Sequence, residues 1–232
     1  MFKFKQFSIS QDKSSMKVGT DGVLIGAWVN VLKKDKFALD IGCGTGLIAL
    51  MLAQRSAAVI DAVEIDRDSA EQASDNVAAS DWSQRINIHN VDIANFKNQF
   101  KYDLIVSNPP FFNNSLLSPL SGRTTARHTV ALSFETLINS VVQMLSHKGR
   151  FSLILPVVES NLFEEKAKGL LYLWRRTYVR GRVGSSCNRI MSEYRLYKPS
   201  ETQLTELSIR GSFDNEYTTE YKNLTSEFYL KF

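Results

Sequence analysis

The chain has 232 residues, 44% of them hydrophobic and 22% charged, as expected of a globular protein with a substantial core. No apolar run approaches a membrane span, and the N-terminal residues lack the apolar stretch of a secretory signal, so we expect a cytoplasmic protein without membrane contact. The two cysteines, Cys43 and Cys187, argue against a disulfide framework and against a metal site. A net charge of +4 favours a nucleic-acid partner only slightly.

The first 36 residues are predicted to form a lead-in segment. Residues 1–9 alternate phenylalanine and lysine before shifting phase, as a short irregular strand would. The apolar run Val23–Val29 predicts a helix capped by Thr20 or Asp21. Residues 37–232 are predicted to complete a single compact domain.

From Phe37 onward, predicted strands and helices alternate. The pattern indicates a mainly parallel sheet with helices on both faces. The predicted strands are Phe37–Ile41, Val59–Ile65, Ile86–Val91, Tyr102–Ser107, Phe151–Leu155, Thr177–Val183 and Ile190–Tyr197. The predicted helices are Leu47–Gln54, Asp68–Ala79, one from Phe134 to Leu145 that Gly149 would end, Glu159–Leu170, and a last one carrying Tyr217, Tyr221, Leu224 and Phe228.

The stretch FALDIGCGTG combines a buried strand with a glycine-rich turn into a helix. Such a turn leaves backbone N–H groups available to a nucleotide-type ligand. The glycines are Gly42, Gly44 and Gly46, and Leu47 stands where a dinucleotide fingerprint needs its third glycine. The spacing therefore disfavours NAD, and no phosphate-binding G-x-x-x-x-G-K-[ST] motif is present.

Acidic residues end the first three predicted strands. Glu64 can accept hydrogen bonds from ribose hydroxyls, and Asp92 can accept one from the amine of an adenine ring. Asp40 would organise the glycine loop or, through water, face a positive amino group. Each acid alone could be a helix cap or a solvated residue, but three at successive strand ends predict a cofactor site. The flanking Cys43 and Ile65 would line it.

The motif NPPFF follows the predicted strand Tyr102–Ser107. The side chain of Asn108 and the carbonyl of Pro109 can each accept one N–H of a planar amine, and Pro110 stiffens the loop. Phe111 can stack on a base. The motif predicts methyl transfer to a planar nitrogen, which could be adenine N6 or a glutamine amide.

Nine basic residues and a single acid, Glu193, lie between Lys166 and Lys198. This segment is either a phosphate-contacting face or a solvated sheet edge. Its candidate RNA contacts are Arg175, Arg176, Arg180, Arg182 and Arg189.

Five stretches together resemble the bacterial tRNA(Val) adenine-N6 methyltransferase family over nearly the whole chain. They are QFSISQDKSSMKVGTDGVLIGAW, LDIGCGTGLIALMLAQR, AVEID, VSNPPFF and YTTEYKNLTSEFYL. The resemblance implies a Rossmann-like class I α/β fold with a seven-stranded, mainly parallel sheet and an antiparallel last strand. It also implies S-adenosylmethionine as methyl donor, S-adenosylhomocysteine as product, no metal, and tRNA as partner.

The target that the resemblance implies is adenine 37, just 3′ of the anticodon, turned out of its stack against Phe111 or Phe112. Family members often carry tyrosine where this chain has Phe111. Lys17 and Thr20 would meet the methionine end of the cofactor or shape the substrate mouth, and we expect a monomer. Basic residues of the middle loop, Arg123, Arg127 and His128, would meet the RNA or belong to a solvated loop.

Three alternatives remain open on the sequence. A protein-glutamine N5-methyltransferase of the release-factor type would use the same NPPF motif. A ribosomal-RNA adenine-N6 methyltransferase would share both the motif and the basic segment. An inactive cofactor-binding RNA chaperone would not need the acids and Asn108.

Overall fold

The computed structural model describes residues 1–14, 16–110, 132–213 and 216–231. In chain order these residues form the strands β1 (Phe2–Lys3), β2 (Ser8–Ile9), β3 (Phe37–Ile41), β4 (Val59–Glu64), β5 (Ile86–Asn90), β6 (Tyr102–Ser107), β7 (Leu145–Pro156), β8 (Tyr172–Arg182), β9 (Cys187–Arg195) and β10 (Gln203–Arg210). The helices are α1 (Thr20–Trp28), α2 (Leu47–Arg55), α3 (Arg67–Ala78), α4 (Phe134–Met144), α5 (Val157–Ala167) and α6 (Thr219–Thr225).

Strands β3 to β10 form one eight-stranded sheet in the order β10-β8-β9-β7-β6-β3-β4-β5, while β1 and β2 pair separately. Within the described sheet, β9 is the one strand antiparallel to its neighbours, and β10 pairs with β8 in parallel. The α/β class and the mainly parallel sheet are confirmed. The predicted count of seven strands is wrong, because β10 adds a parallel edge strand beyond β8. The antiparallel orientation predicted for the last of those seven strands, Ile190–Tyr197, is confirmed, since β9 is antiparallel to both of its neighbours.

Helices cover both faces of the sheet, as predicted, and alternating side chains along each strand supply two cores. Ala38 and Leu104 point into the core under α1, α2, α3 and α6. Leu39 and Ile105 point into the core under α4 and α5. This two-sided burial explains the continuous apolar character of β3 and β6.

Two predicted local features are wrong, and one strand was not predicted. Helix α1 begins at Thr20, its N-cap is Gly19, and no side chain caps it, so neither Thr20 nor Asp21 does so. Helix α4 ends at Met144, and the chain passes directly into β7, which contains Gly149. Strand β10 escaped prediction because its first four side chains are exposed and its apolar pattern is weak.

Within the part of the chain that the structure describes, no helix combines the length and apolar character that a membrane span requires.

Gly149 is required by close packing rather than by a turn. A Cβ at this position would lie 2.8 Å from the backbone oxygen of Tyr102 and 2.7 Å from Leu145 Cδ1. We expect Gly149→Ala to lower the free energy of unfolding by about 1–3 kcal/mol, the usual cost of overpacking.

The matched control is Gly181→Ala in β8, where the nearest atom to a Cβ would be Asn188 Nδ2 at 3.7 Å. Urea unfolding should show a lower midpoint for Gly149→Ala and little change for the control. Equal midpoints for the two variants would contradict the packing explanation.

Candidate active site

The candidate site lies at the carboxyl ends of three neighbouring parallel strands. Ile41 of β3 is in register with Val63 of β4 and with Ser107 of β6. Ser107 Oγ also donates a 2.8 Å hydrogen bond to the carbonyl oxygen of Ile41. The residues that follow, Gly42, Glu64 and Asn108, therefore leave the sheet side by side, at the edge where open α/β sheets bind ligands.

The glycine loop adopts a backbone that other residues rarely tolerate. Gly42, Gly44 and Gly46 have φ values of 73°, 54° and 79°. A Cβ on Gly42 or Gly44 would meet no atom of the described residues within 4 Å, so within this part of the chain both glycines face open space. A Cβ on Gly46 would instead touch Ala73 at 3.4 Å, which shows that this glycine lets α3 approach the loop.

The backbone N–H groups of the glycine loop were expected to be available to a ligand, but three of them are bonded within the protein. The N–H groups of Gly42 and Cys43 donate to the Val63 carbonyl at 2.9 and 3.1 Å. The Gly44 N–H donates to Glu64 Oε2 at 2.8 Å. The N–H groups of these three residues thus hold the loop against β4, and the open side of the loop presents glycine Cα atoms.

Glu64 and Asp92 lie at the ends of adjacent strands and keep part of their acceptor capacity. The second oxygen of Glu64, Oε1, accepts the Asp66 N–H at 2.9 Å. Asp92 Oδ1 accepts the Ala94 N–H at 2.9 Å, and among the described residues its Oδ2 has no hydrogen-bond partner. Both side chains are half-buried, so a ligand at this edge can reach them.

Asp40 is fully buried beneath the glycine loop. Its Oδ2 accepts the Ala49 N–H of α2 at 3.1 Å, whereas its Oδ1 has no partner among the described residues. Burial raises the pKa of the Asp40 carboxyl to about 7, the Ala49 hydrogen bond opposes this shift, and the nearby Glu64 charge adds to it. The carboxyl thus lacks a compensating positive group.

Cys43 and Ile65 flank these acids. Burial is the main cause that raises the pKa of the Cys43 thiol, with Asp40 and Glu64 adding to it, so the thiol stays protonated and is no nucleophile. Ile65 is 45% exposed directly after Glu64, an open apolar surface at the sheet edge.

Asn108 lies at the end of β6, half-buried, and among the described residues its side chain has no hydrogen-bond partner. Pro109 is buried and Pro110 is exposed. Gly22 of α1 faces Asn108, since a Cβ on Gly22 would lie 3.8 Å from Asn108 Nδ2 and 3.0 Å from Leu47 Cδ2. The N-terminal turn of α1, which begins at exposed Thr20, therefore forms one wall beside Asn108, and exposed Lys17 precedes this turn.

Asn76 connects the N-terminal segment to the glycine loop, a role that the sequence analysis missed. Its Nδ2 donates to the carbonyl oxygens of Ser10 and Thr45, both at 2.9 Å, and its Oδ1 accepts the Ser10 N–H at 2.8 Å. A polar residue within the Ala70, Ala73, Val77 face of α3 was the available signal. The close approach of Gly22 to Asn108 was also missed, and the available signal was a glycine inside the first turn of a predicted helix.

Two of the predicted RNA-contacting arginines lie on opposite faces of the sheet. The Arg175 guanidinium stacks 3.7 Å from the centroid of the Trp28 ring on the α1 side. Arg176 is 8% exposed and pairs with Glu164 of α5 at 2.7 Å on the other side. Both side chains contribute to packing between the sheet and its helices.

The other three predicted arginines also contact the protein. Arg180 forms an ion pair with Glu206 at 3.2 Å, and Arg189 forms one with Asp21 at 2.8 Å. Arg182 donates to the Gly211 carbonyl at 3.0 Å. The structure does not bring the five arginines into one surface, and their contact with RNA stays a prediction.

The remaining predicted site residues lie outside the described residues: Phe111, Phe112, Arg123, Arg127 and His128. Within the described ranges, no group of three histidine, cysteine, aspartate or glutamate side chains is arranged to hold a metal ion.

Comparison with known proteins identifies the family. Residues 24–157 match the methyltransferase small domain family. A tRNA1(Val) (adenine(37)-N6)-methyltransferase of Trichodesmium erythraeum is 45% identical and the alignment covers 100% of this chain and 98% of the relative. A protein with the same name from Flavobacterium johnsoniae is 44% identical over the full length of both.

Solved structures share the fold at low sequence identity. A predicted O-methyltransferase from Agrobacterium tumefaciens superposes with a TM-score of 0.65 at 19% identity, covering 90% of this chain and 96% of that one. The N-methyltransferase NodS from Bradyrhizobium japonicum, solved with S-adenosyl-L-homocysteine, superposes with a TM-score of 0.51 at 16% identity, covering 70% and 78%.

The fold, the family match and the named relatives define a class I methyltransferase that depends on S-adenosylmethionine. Within that class, the chain belongs to the tRNA1(Val) (adenine(37)-N6)-methyltransferase family.

The raised pKa of Asp40 predicts a specific pH dependence of stability. Between the ordinary aspartate pKa of 3.8 and about 7, the folded protein keeps a proton on Asp40 that the unfolded chain has released. The raised pKa of Asp40 therefore makes the free energy of unfolding fall as pH rises through that window, and this contribution stays constant above it.

Asp40→Asn keeps the acceptor for Ala49 and removes the titration. Relative to this variant, the wild type should lose about 2–3 kcal/mol of stability between pH 5 and pH 8, measured by urea unfolding without cofactor. A difference between the two proteins that does not vary with pH would contradict the assigned pKa.

Proposed function

We propose that this protein transfers a methyl group from S-adenosylmethionine to N6 of adenine 37 in a valine tRNA. The observation that carries the proposal is Asn108, which emerges beside the glycine loop with its side-chain amide uncommitted among the described residues. Relatives that share 44–45% identity over essentially the whole chain carry names with this activity, which supports the same substrate here.

The described residues fit the cofactor. When bound, S-adenosylmethionine supplies an electrophilic methyl group and leaves as S-adenosylhomocysteine. The unpartnered Oδ1 of buried Asp40 is suited to a positive amino group, directly or through water. The open space beside Gly42 and Gly44 admits a ligand close to the backbone.

The strand-end acids fit the nucleoside part of the same ligand. Glu64 carries acceptor capacity beyond its two backbone bonds, because a carboxylate offers about four lone-pair positions, and this suits ribose hydroxyls. The unpartnered Oδ2 of Asp92 suits an adenine amine. Exposed Ile65 would cover the ring, while Lys17 and Thr20 would border the methionine end.

Asn108 and Pro109 would activate the target nitrogen as hydrogen-bond acceptors. The lone pair of an adenine amine is delocalised into the ring, so the nitrogen is a poor nucleophile in its planar form. When the Asn108 Oδ1 and the Pro109 carbonyl each accept one N–H, they favour the localised, pyramidal nitrogen that forms the new bond. The excess proton then leaves to water, and no strong base is required.

The remaining parts of the proposal concern the substrate. Phe111 and Phe112 would stack on the adenine after it turns out of the anticodon loop, and Arg123, Arg127 and His128 would contact the RNA nearby. The protein would act as a cytoplasmic monomer, with residues 1–36 and 37–232 forming one compact domain.

Asn108→Ala should separate binding from turnover. We expect cofactor affinity within a few-fold of wild type by calorimetry, because the strand-end acids and glycine loop remain. Turnover should fall a hundred- to a thousandfold, which corresponds to a loss of about 3–4 kcal/mol of transition-state stabilisation.

Asn161→Ala, an exposed asparagine of α5, is the matched control and should leave turnover unchanged. Normal turnover by Asn108→Ala would remove this residue from catalysis.

The substrate class is tested by offering the enzyme labelled cofactor with tRNA, ribosomal RNA and release factor from cells that lack the gene. Label should enter tRNA. Label confined to release factor would replace the proposal with glutamine methylation, and label confined to ribosomal RNA would overturn the tRNA assignment.

A further inference from the structure

Six exposed lysines lie at the edge of the sheet opposite the candidate active site. They are Lys33, Lys34, Lys36, Lys101, Lys148 and Lys198, here called the lysine edge. None of them forms an ion pair with a residue that the structure describes. This contrasts with Arg176, Arg180 and Arg189, whose charges are compensated by carboxylates.

Strand order brings these lysines together. Lys33, Lys34 and Lys36 precede β3, and Lys101 directly precedes β6. Lys148 lies in the first part of β7, whose Leu145 pairs with Tyr102 at the start of β6. Lys198 follows β9, which is antiparallel, so the end of β9 lies beside the start of β7. The lysine edge thus spans four neighbouring strands.

Aromatic contacts hold the β7 and β9 part of this edge. The His147 and Tyr197 rings stack with their centroids 5.7 Å apart, which ties the start of β7 to the end of β9. Lys198 Nζ lies 5.6 Å from the centroid of the Tyr172 ring at the start of β8. These contacts therefore hold Lys148 and Lys198 at neighbouring strand ends.

Two acids near this edge are committed to other groups. Asp35 is buried, pairs with Arg150, and accepts the Leu32 N–H at 2.8 Å. Asp103 accepts the backbone N–H groups of Lys36 and Phe37 at 2.8 and 3.3 Å. Neither carboxylate pairs with a lysine side chain, and Arg150 offsets the charge of Asp35, so the six lysines outnumber the remaining carboxylate, Asp103, and the lysine edge keeps a net positive charge.

We propose that the lysine edge binds the sugar-phosphate backbone of the RNA substrate at a distance from the target base. The proposal rests on the proposed function, because it takes RNA as the substrate. Lysine is a mobile point charge suited to phosphates, and a row of such charges on adjacent strands is stabilised by a polyanion.

The distance between the two edges defines which part of the RNA is bound. Strands of five or six residues separate the lysine edge from the candidate active site, which is roughly 20 Å at about 3.3 Å per residue. An RNA whose target base is at Asn108 reaches the lysine edge only with a more distant part of its backbone. These contacts contribute affinity without reading sequence.

The test compares two triple variants with the same change in net charge. The edge variant is Lys34→Gln, Lys148→Gln and Lys198→Gln, and the control is Lys3→Gln, Lys222→Gln and Lys231→Gln. The substituted lysines of the edge variant are all exposed, and thermal unfolding should show that both proteins fold like wild type. Binding to an unmodified valine tRNA transcript is followed by fluorescence anisotropy across a salt series.

The edge variant should bind at least tenfold more weakly at moderate salt. Its plot of log affinity against log salt should be shallower by about 2, because each phosphate contact contributes about 0.7–0.9 to the slope. The control should retain the wild-type slope. Both variants should keep wild-type affinity for S-adenosylhomocysteine.

Equal affinities and slopes for the two variants would overturn the lysine edge as an RNA contact. The lysine edge would also be overturned as an RNA contact if the edge variant lost the binding to polyglutamate that the wild type shows but bound tRNA like the wild type. That result would favour an acidic protein partner. Failure of the proposed function can be told apart from failure of the lysine edge. The proposed function fails if the wild type transfers no methyl group to tRNA, whatever the salt dependence of binding by the variants.

Discussion

The parallel register of β3 with β4 and β6 is the constraint on which the candidate site depends. Because Ile41 is level with both Val63 and Ser107, three chain segments leave the sheet at one point. A one-residue slip of β6 would turn Ser107 away from Ile41 and would move Asn108 along the strand. The β6 side chains pack into a hydrophobic core on each face, and Ser107 bonds to Ile41, so packing and this hydrogen bond together determine the position of the polar Asn108.

The same constraint explains why Asp40 is buried without full compensation. Its side chain shares the face of Ala38, which packs under the helices on the α2 side of the sheet, and α2 begins directly after the glycine loop. Among the described residues, only one of its oxygens accepts a hydrogen bond, from the Ala49 N–H. A buried polar atom without a partner destabilises the free protein. A cationic ligand group at this position would recover that free energy, which links the stability of the fold to cofactor binding.

The parts of the structure that were predicted from sequence are those with local or strongly periodic signals. Strands Phe37–Ile41 and Tyr102–Ser107 have the predicted bounds, because they are short apolar runs with polar residues at their ends. Gly149 was misassigned because a glycine near a helix end and a glycine needed for close packing look alike in sequence. Strand β10 is stabilised by pairing with β8, a non-local contact that cannot be predicted from the residues of β10 alone.

The difference between local sequence patterns and non-local contacts also separates the predicted from the unpredicted residues of the site. The glycine spacing and the strand-end acids are local patterns, so Gly42, Glu64 and Asn108 could be grouped from sequence. Asn76 and Gly22 act through partners far along the chain, Ser10 and Asn108, and only the fold reveals them. The basic segment between Lys166 and Lys198 was a compositional signal, and folding pairs several of its arginines with carboxylates. The unpaired lysines lie at the lysine edge, and Lys198 is the one member that this segment contributes.

The reaction proposed for the site beside Asn108 is methyl transfer to N6 of adenine 37 in a valine tRNA. The most direct measurement incubates the purified protein and S-adenosylmethionine with an unmodified valine tRNA transcript, followed by nuclease mapping and nucleoside mass spectrometry. N6-methyladenosine is expected at position 37, and none is expected in a transcript in which this adenine is replaced by guanine. Methylation at another nucleotide, or unchanged methylation of the substituted transcript, would contradict it.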